Sequence, residues 1–182
     1  MSFRRVPTQI EDLVLIEPDV HGDERGFFVE TFRENELADL GIDVHFVQDN
    51  HSRSAPKVLR GIHLQRGQAK LVRCPSGRIW DVAVDLRPDS PTYRRWEGYE
   101  LDGAAHRQLF IPDGFGHGFC VLSDEPADAL YRVSSYYDPE LETGVAWDDP
   151  EIGIEWPISD PVLSERDSNA PRLADLQSTP GG

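Results

Sequence analysis

Lysine is nearly absent from this chain: of 18 basic residues only two, Lys57 and Lys70, are lysines. Cysteine is equally scarce. Cys74 and Cys120 make no CxxC pair and no disulfide framework, so a reducing, cytoplasmic setting is the expected one. No apolar run approaches the ~20 residues of a membrane span, and no charged-then-apolar leader follows Met1, which excludes a membrane partner. Positive charge is short overall. A net charge of -15 excludes a nucleic-acid polymer as partner, though not a small anion held where arginines gather. Repeats, low-complexity tracts and linkers are also missing. The 182 residues therefore read as one domain, 1–182, with a tail expected to fray from about residue 172.

Against that scarcity, the placement of the few special residues stands out. Val58-Leu59-Arg60-Gly61-Ile62-His63-Leu64-Gln65 has the character of a short apolar strand, yet it carries an arginine and a histidine, with Lys70 seven residues past the histidine. Arg60 suits an oxyanion, because its planar fork binds bidentately. His63 is the side-chain type suited to proton transfer, although a satisfied strand histidine is the commoner case. Lys70 suits a developing negative charge. Gly61 allows close approach of another backbone or a ligand.

The rest of the chain is mostly short strands. Residues 13–16 read as a first strand, 21–26 as a turn and 27–32 as a second strand, where Glu30 shares a face with Phe28 and Phe32. Such a carboxylate belongs at a sheet edge or in a site. One helix is expected over 34–40, stopped by Gly41. Residues 46–50 lead into a polar turn at 51–54. The strongest strand is 79–86: Trp80, Val82, Val84 and Leu86 form one face, Ile79, Asp81, Ala83 and Asp85 the other. The two acids place that second face either in a wet cavity or toward solvent. Strands are expected again at 96–101, 108–111, 119–122 and 128–134. Pro112-Asp113-Gly114-Phe115-Gly116-His117-Gly118 reads as a tight turn delivering a histidine, and the chain after Tyr137 reads as irregular.

Many turn-punctuated strands with one small helix point to an all-β sandwich or barrel. A jelly roll is the member of that class that commonly encloses a ligand. Metal-binding jelly rolls of the cupin type usually supply a His-x-His pair. None occurs here, so no metal is expected.

Taken together, these blocks resemble the dTDP-4-dehydrorhamnose 3,5-epimerase family from about Leu13 to about Pro171. The resemblance is carried by Asp23-Glu24-Arg25-Gly26-Phe27-Phe28-Val29-Glu30, Gln48-Asp49-Asn50-His51-Ser52, Leu59-Arg60-Gly61-Ile62-His63 and Lys70-Leu71-Val72. It continues through Asp81-Val82-Ala83-Val84-Asp85-Leu86-Arg87, Ser90-Pro91-Thr92, the 111–119 block, Tyr131, Tyr137 and Leu163-Ser164-Glu165-Arg166-Asp167. It implies a cupin-type jelly roll (double-stranded β-helix) with one or two short helices, acting as a homodimer that exchanges an N-terminal strand. It implies an isomerase of a dTDP-4-keto-6-deoxyhexose, without metal or organic cofactor. In that likeness His63 is the base, Asp167 its orienting partner, Tyr131 the proton donor and Lys70 the group facing the C4 oxygen. Arg25 and Arg60 resemble diphosphate ligands, with Gln48, Asp49 and Asn50 nearby. Phe28 and Glu30 resemble residues reaching the thymidine from the neighbouring subunit, and Tyr137 one stacking on it. His117, Glu142 and Arg166 resemble further binding positions.

Three departures from the family pattern are visible. Only six residues separate His63 from Lys70, fewer than is usual; Gly116 replaces a frequent alanine, and Arg166 a frequent lysine. Within the same fold, the alternatives are an epimerase acting at one carbon, a sugar-nucleotide ketoisomerase, or a non-catalytic dTDP-sugar binder. The His63, Asp167 and Tyr131 set argues against the last two.

Overall fold

Two antiparallel sheets stack face to face in the computed structural model, which describes residues 2–177. In chain order the elements begin with β1 (Phe3–Val6), β2 (Val14–Pro18), β3 (Val20–Asp23), β4 (Gly26–Val29), α1 (Glu34–Asp39), β5 (Gln48–Ser54), β6 (Leu59–Gln65) and β7 (Lys70–Ser76). They continue as β8 (Arg78–Asp85), β9 (Trp96–Asp102), β10 (Gln108–Ile111), β11 (Phe115–Val121), β12 (Ala127–Val133), β13 (Glu142–Gly144), α2 (Glu165–Ser168) and α3 (Leu173–Gln177). One sheet runs β1-β2-β10-β7-β12-β5, the other β13-β6-β11-β8-β9, and β3 pairs only with β4. Sheet neighbours are mostly distant in sequence, the connectivity of a jelly roll. The all-β class and the cupin-type jelly roll expected from the sequence are the fold observed.

Period-two alternation makes three apolar layers from two sheets. Leu13, Leu15, Val72, Leu109, Ile79 and Ala83 point between the sheets into the central core. Their neighbours Val14, Ile16, Leu71 and Phe110 point outward, where Leu37 of α1 and Ile42 cover them. On the far side Val82 and Val84 meet Val145, Ile152 and Leu173 from the C-terminal third. α1 ends where the sequence places its stop, with Gly41 at φ +89°.

Some expectations need correcting. The polar turn expected at 51–54 is strand, part of β5 at the sheet edge. The turn expected at 21–26 is narrower: β3 and β4 flank Glu24 and Arg25. Phe115 to Gly118 belong to the buried strand β11, where the glycines serve close packing. A Cβ on Gly116 would lie 2.5 Å from a methyl of Ile62. The irregular stretch after Tyr137 contains β13. Within the tail expected to fray from about 172, Leu173–Gln177 form α3 with Leu173 buried, and residues 178–182 lie outside the described part.

β6 contains the irregularity on which the site rests. His63 pairs with His117, but Arg60 pairs with Phe119, so three steps on β6 match two on β11. A regular strand would turn Arg60 and His63 to opposite faces; the extra residue brings both to one cavity. Gly61 occupies the bulge at φ +122°, and a Cβ there would lie 2.5 Å from the Gly118 Cα and 2.8 Å from the His117 carbonyl oxygen. Gly67 also has positive φ (+76°), but open space around it. Gly61→Ala is therefore expected to cost about 3 kcal/mol or more, against about 1 kcal/mol for Gly67→Ala. Urea denaturation of both variants checks this, and equal losses would remove backbone contact as the reason for Gly61.

Candidate active site

The bulged strand opens on a cavity of about 360 Å³ between the two sheets. From the five-stranded sheet come Arg60 and His63 on β6, His117 and Phe119 on β11, and Glu142 on β13; from the six-stranded sheet come Gln48, Asn50 and Ser52 on β5, Lys70 on β7 and Tyr131 on β12. Tyr137 and Arg166 stand among the lining residues as well.

His63 is gripped from behind. Its Nε2 lies 2.6 Å from Oδ1 of Asp167, a residue 104 positions away and buried. Asp167 sits in α2, whose N-cap Ser164 donates its hydroxyl to Oδ2 at 2.9 Å and accepts the Asp167 N–H at 3.0 Å. Burial pushes the Asp167 carboxyl up, but His63, Ser164 and the Gly61 backbone together outweigh it and hold its pKa below the ordinary value. The carboxylate therefore stays ionised, fixes the ring orientation and leaves Nδ1 as the nitrogen open to a ligand.

Lys70 is a cation whose charge is costly. It is buried, with Nζ 3.4 Å from the His63 carbonyl oxygen. Desolvation lowers its pKa from 10.5 to about 8, while Glu142 and Asp81 pull in the opposite direction. The short loop between β6 and β7 thus still delivers Lys70 to the cavity. Across from His63, Tyr131 is half-buried and packs on the central core. Burial, then the Glu142 charge, raise its pKa, so the phenol is protonated at neutral pH. Its hydroxyl has no protein partner among the described residues.

The mouth is a chain of polar contacts. Tyr137 donates its hydroxyl to Glu142 at 2.9 Å, and Arg166 donates to the same carboxylate oxygen at 2.7 Å. Arg60 donates Nε to the Ser54 hydroxyl at 3.0 Å. Deeper, His117 Nε2 lies 2.8 Å from Asp81 Oδ1, and both are buried. Asp81 thereby settles which face of β8 meets the cavity side, whereas Asp85 is consumed by Arg87, Ser90 and Thr92 and pins its own turn.

Four residues singled out from the sequence lie elsewhere. Asp49 is exposed, on the opposite face of β5 from Gln48 and Asn50, with Arg132 at 3.2 Å. Arg25 and Phe28 are on the β3–β4 hairpin, 85% and 65% exposed, and Arg25 pairs with Asp23. Glu30 is held by Arg33 at 2.6 Å and by the Ser2 hydroxyl. Ser52, Gln68 and Phe119 line the cavity without having been singled out. Alternation along β5 could have found Ser52; nothing local marks the other two. Among the described residues, no group of three His, Cys, Asp or Glu side chains is arranged to hold a metal ion, and no helix is long and apolar enough to cross a membrane.

The family profile of dTDP-4-dehydrorhamnose 3,5-epimerase matches residues 7–175. The chain belongs to this family. It is similar to the dTDP-4-dehydrorhamnose 3,5-epimerase of Salmonella typhimurium, 51% identical over 173 residues, covering 92% of this chain and 94% of that one. It is also similar to the dTDP-4-dehydrorhamnose 3-epimerase of Streptomyces niveus, 43% identical and covering 96% of this chain and 86% of that one. Among solved structures, the 3,5-epimerase of Legionella pneumophila in complex with dTDP-4-keto-L-rhamnose superimposes with a TM-score of 0.92. That enzyme is 45% identical, with 99% of this chain and 98% of that one covered.

For this family member the buried lysine has a measurable signature. Below pH 8 Lys70 is charged in both folded and unfolded states, and the cost of burying the charge is borne in full. Between about 8 and 10.5 the unfolded chain binds the extra proton, so stability rises with pH through that window. The whole shift corresponds to about 3 kcal/mol. Lys70→Met is expected to be more stable than the parent at pH 7, with the gap closing toward pH 10.5. Urea denaturation of both proteins across that range checks it; a pH-independent gap would contradict the lowered pKa.

Proposed function

We propose that the protein epimerises a dTDP-4-keto-6-deoxyhexose at C3 and C5, with His63 as base and Tyr131 as acid. The observation that carries this reading is their placement: a carboxylate-backed histidine on one sheet and a protonated phenol on the other, facing one cavity that also holds Lys70. The substrate's C4 ketone acidifies the C–H bonds at C3 and C5, because loss of either proton leaves an enolate. His63 takes the proton; the cationic Lys70 stabilises the enolate oxygen, the kind of preorganised charge that contributes most in such sites. Tyr131 returns a proton from the opposite face, which inverts the carbon. The net change is an isomerisation, so no electron acceptor is required.

The nucleotide end is assigned to Arg60 for the diphosphate, Gln48 and Asn50 beside it, Tyr137 against the base, and His117, Glu142 and Arg166 at the margins. Arg25, Phe28 and Glu30 fit this scheme only as contributions from a second copy. The hairpin's isolation from both sheets and the exposure of Phe27 and Phe28 support a homodimer that shares its sites. Asp49, on the other face of β5 beside Arg132, is left out of this assignment. Buried free thiols at Cys74 and Cys120 fit a reducing cytoplasm. A second reading, inversion of one carbon only, is favoured by the likeness to the Streptomyces niveus enzyme, which is named for the 3-position alone.

Incubation with dTDP-4-keto-6-deoxyglucose in deuterated water, followed by NMR, tests both readings. Deuterium at C3 and C5 supports the first, at C3 alone the second, and at neither overturns the proposal. His63→Asn is expected to lose about 10²–10⁴-fold of the exchange at both carbons while still binding dTDP; Asp167→Asn loses less, since it orients the ring and carries no proton. Tyr131→Phe should retain exchange at one or both carbons but lose net inversion; exchange and inversion falling in proportion would remove Tyr131 as the acid. Exchange by the parent should decline above about pH 8, as Lys70 gives up its charge.

A further inference from the structure

The tyrosine at the cavity mouth stands on a segment with little apolar support. Residues 134–138 connect β12 toward β13 at the surface, and Tyr136 and Tyr137 are 72% and 54% exposed. Backbone groups in such a segment are normally left to water. Here side-chain amides hold them. Gln65, buried and two residues beyond His63 on β6, donates Nε2 to the Tyr136 carbonyl at 2.9 Å and to the Ser135 hydroxyl at 3.2 Å. Its Oε1 accepts the Asp138 N–H at 3.0 Å. One amide thus grips the chain on both sides of Tyr137. Gln48 Oε1 accepts the Tyr137 N–H itself at 3.1 Å, and Gln68 donates to the Ser135 carbonyl at 3.0 Å.

We propose that Gln65 is a positioning residue for nucleotide binding. It fixes the backbone on either side of Tyr137, so that the phenol ring is held at the mouth before ligand arrives. The inference rests on the assignment of Tyr137 to the base of a dTDP-sugar. A buried primary amide suits this task because it donates and accepts at once, matching a carbonyl and an N–H two residues apart. Its removal would leave the Tyr136 carbonyl and the Asp138 N–H unpaired, and the segment would reorganise toward water. Affinity would then fall because an ordered ring must be ordered anew on each binding event. The reaction centre would be spared, since Gln65 makes no hydrogen bond to His63, Lys70, Tyr131 or Asp167.

The test is a double-mutant cycle read by calorimetric titration with dTDP and by solvent exchange at saturating substrate. Gln65→Leu is expected to weaken dTDP binding about tenfold and raise KM alike, with the saturated exchange rate within about twofold of the parent. In a Tyr137→Ala background the same substitution should cost no further affinity, because the residue it positions is gone. Gln65→Glu keeps the acceptor for Asp138 but loses the donor to Tyr136, and should fall between the two; it serves if the leucine variant does not fold. Additive losses in the cycle, or a fall in exchange rate with unchanged affinity, would overturn the proposal. A parent that does not bind dTDP would instead overturn the functional reading beneath it.

Discussion

A pleated strand cannot turn residues three apart to the same side, and this chain needs Arg60 and His63 on the same side. The bulge at Gly61 resolves the conflict. It works only because β11 supplies a glycine, Gly118, directly against it: the Gly61 Cβ position is 2.5 Å from that Cα. Two glycines on adjacent strands thus let one backbone sink against another. Ile62, the residue between, is turned outward and buried against Val145 and the C-terminal layer. The residues proposed for phosphate recognition and for proton transfer, Arg60 and His63, are set side by side by one local departure from the ladder.

The cavity concentrates cations in a strongly acidic protein. Most of the arginines outside it are spent in ion pairs, many of them surface pairs such as Arg4 with Glu17 and Arg172 with Asp148, worth little each. Inside, Lys70 has no ion-pair partner among the described residues, and the Glu142 and Asp81 charges offset only part of its desolvation penalty. An enolate oxygen or a phosphate oxygen would supply that partner. The free protein is thus destabilised at the point where the proposed enolate would form, a common bargain between stability and function.

Legibility in the sequence followed hydrophobic period. β2, β8 and β10 alternate cleanly between a core and a covered outer face, β12 between a core and a polar outer face, and each is legible in the sequence within a residue or two. α1 was marked by Gly41. β5 was half missed because its cavity face (Gln48, Asn50, Ser52) and its outer face (Asp49, His51, Arg53) are both polar, so no hydrophobic period exists to read. β11 reads partly as a turn because glycines that admit Ile62 and Leu86 look, in sequence, like glycines that bend a chain. β13, three residues long, is defined by pairing with β6 rather than by its own composition. For the site, family blocks identified His63, Asp167, Lys70 and Tyr131, and the fold gathered them. Parity alone, applied to β5, separates Asp49 from its neighbours. Gln65 and Gln68 could not be read, since a buried amide holding a distant loop leaves no local pattern.

The pairing of His63 with Asp167 spans 104 residues and is made by the segment that follows β13. On the ribosome, β6 and both sheets up to β12 emerge well before α2 does. A nascent jelly roll can close while its histidine still lacks the carboxylate that orients it, and while Glu142 still lacks Arg166. The proposed base acquires its carboxylate only after the strands of both sheets have been made. Anything that peels the C-terminal segment from Ile62, Val82 and Val84 would disarm the histidine without opening the barrel.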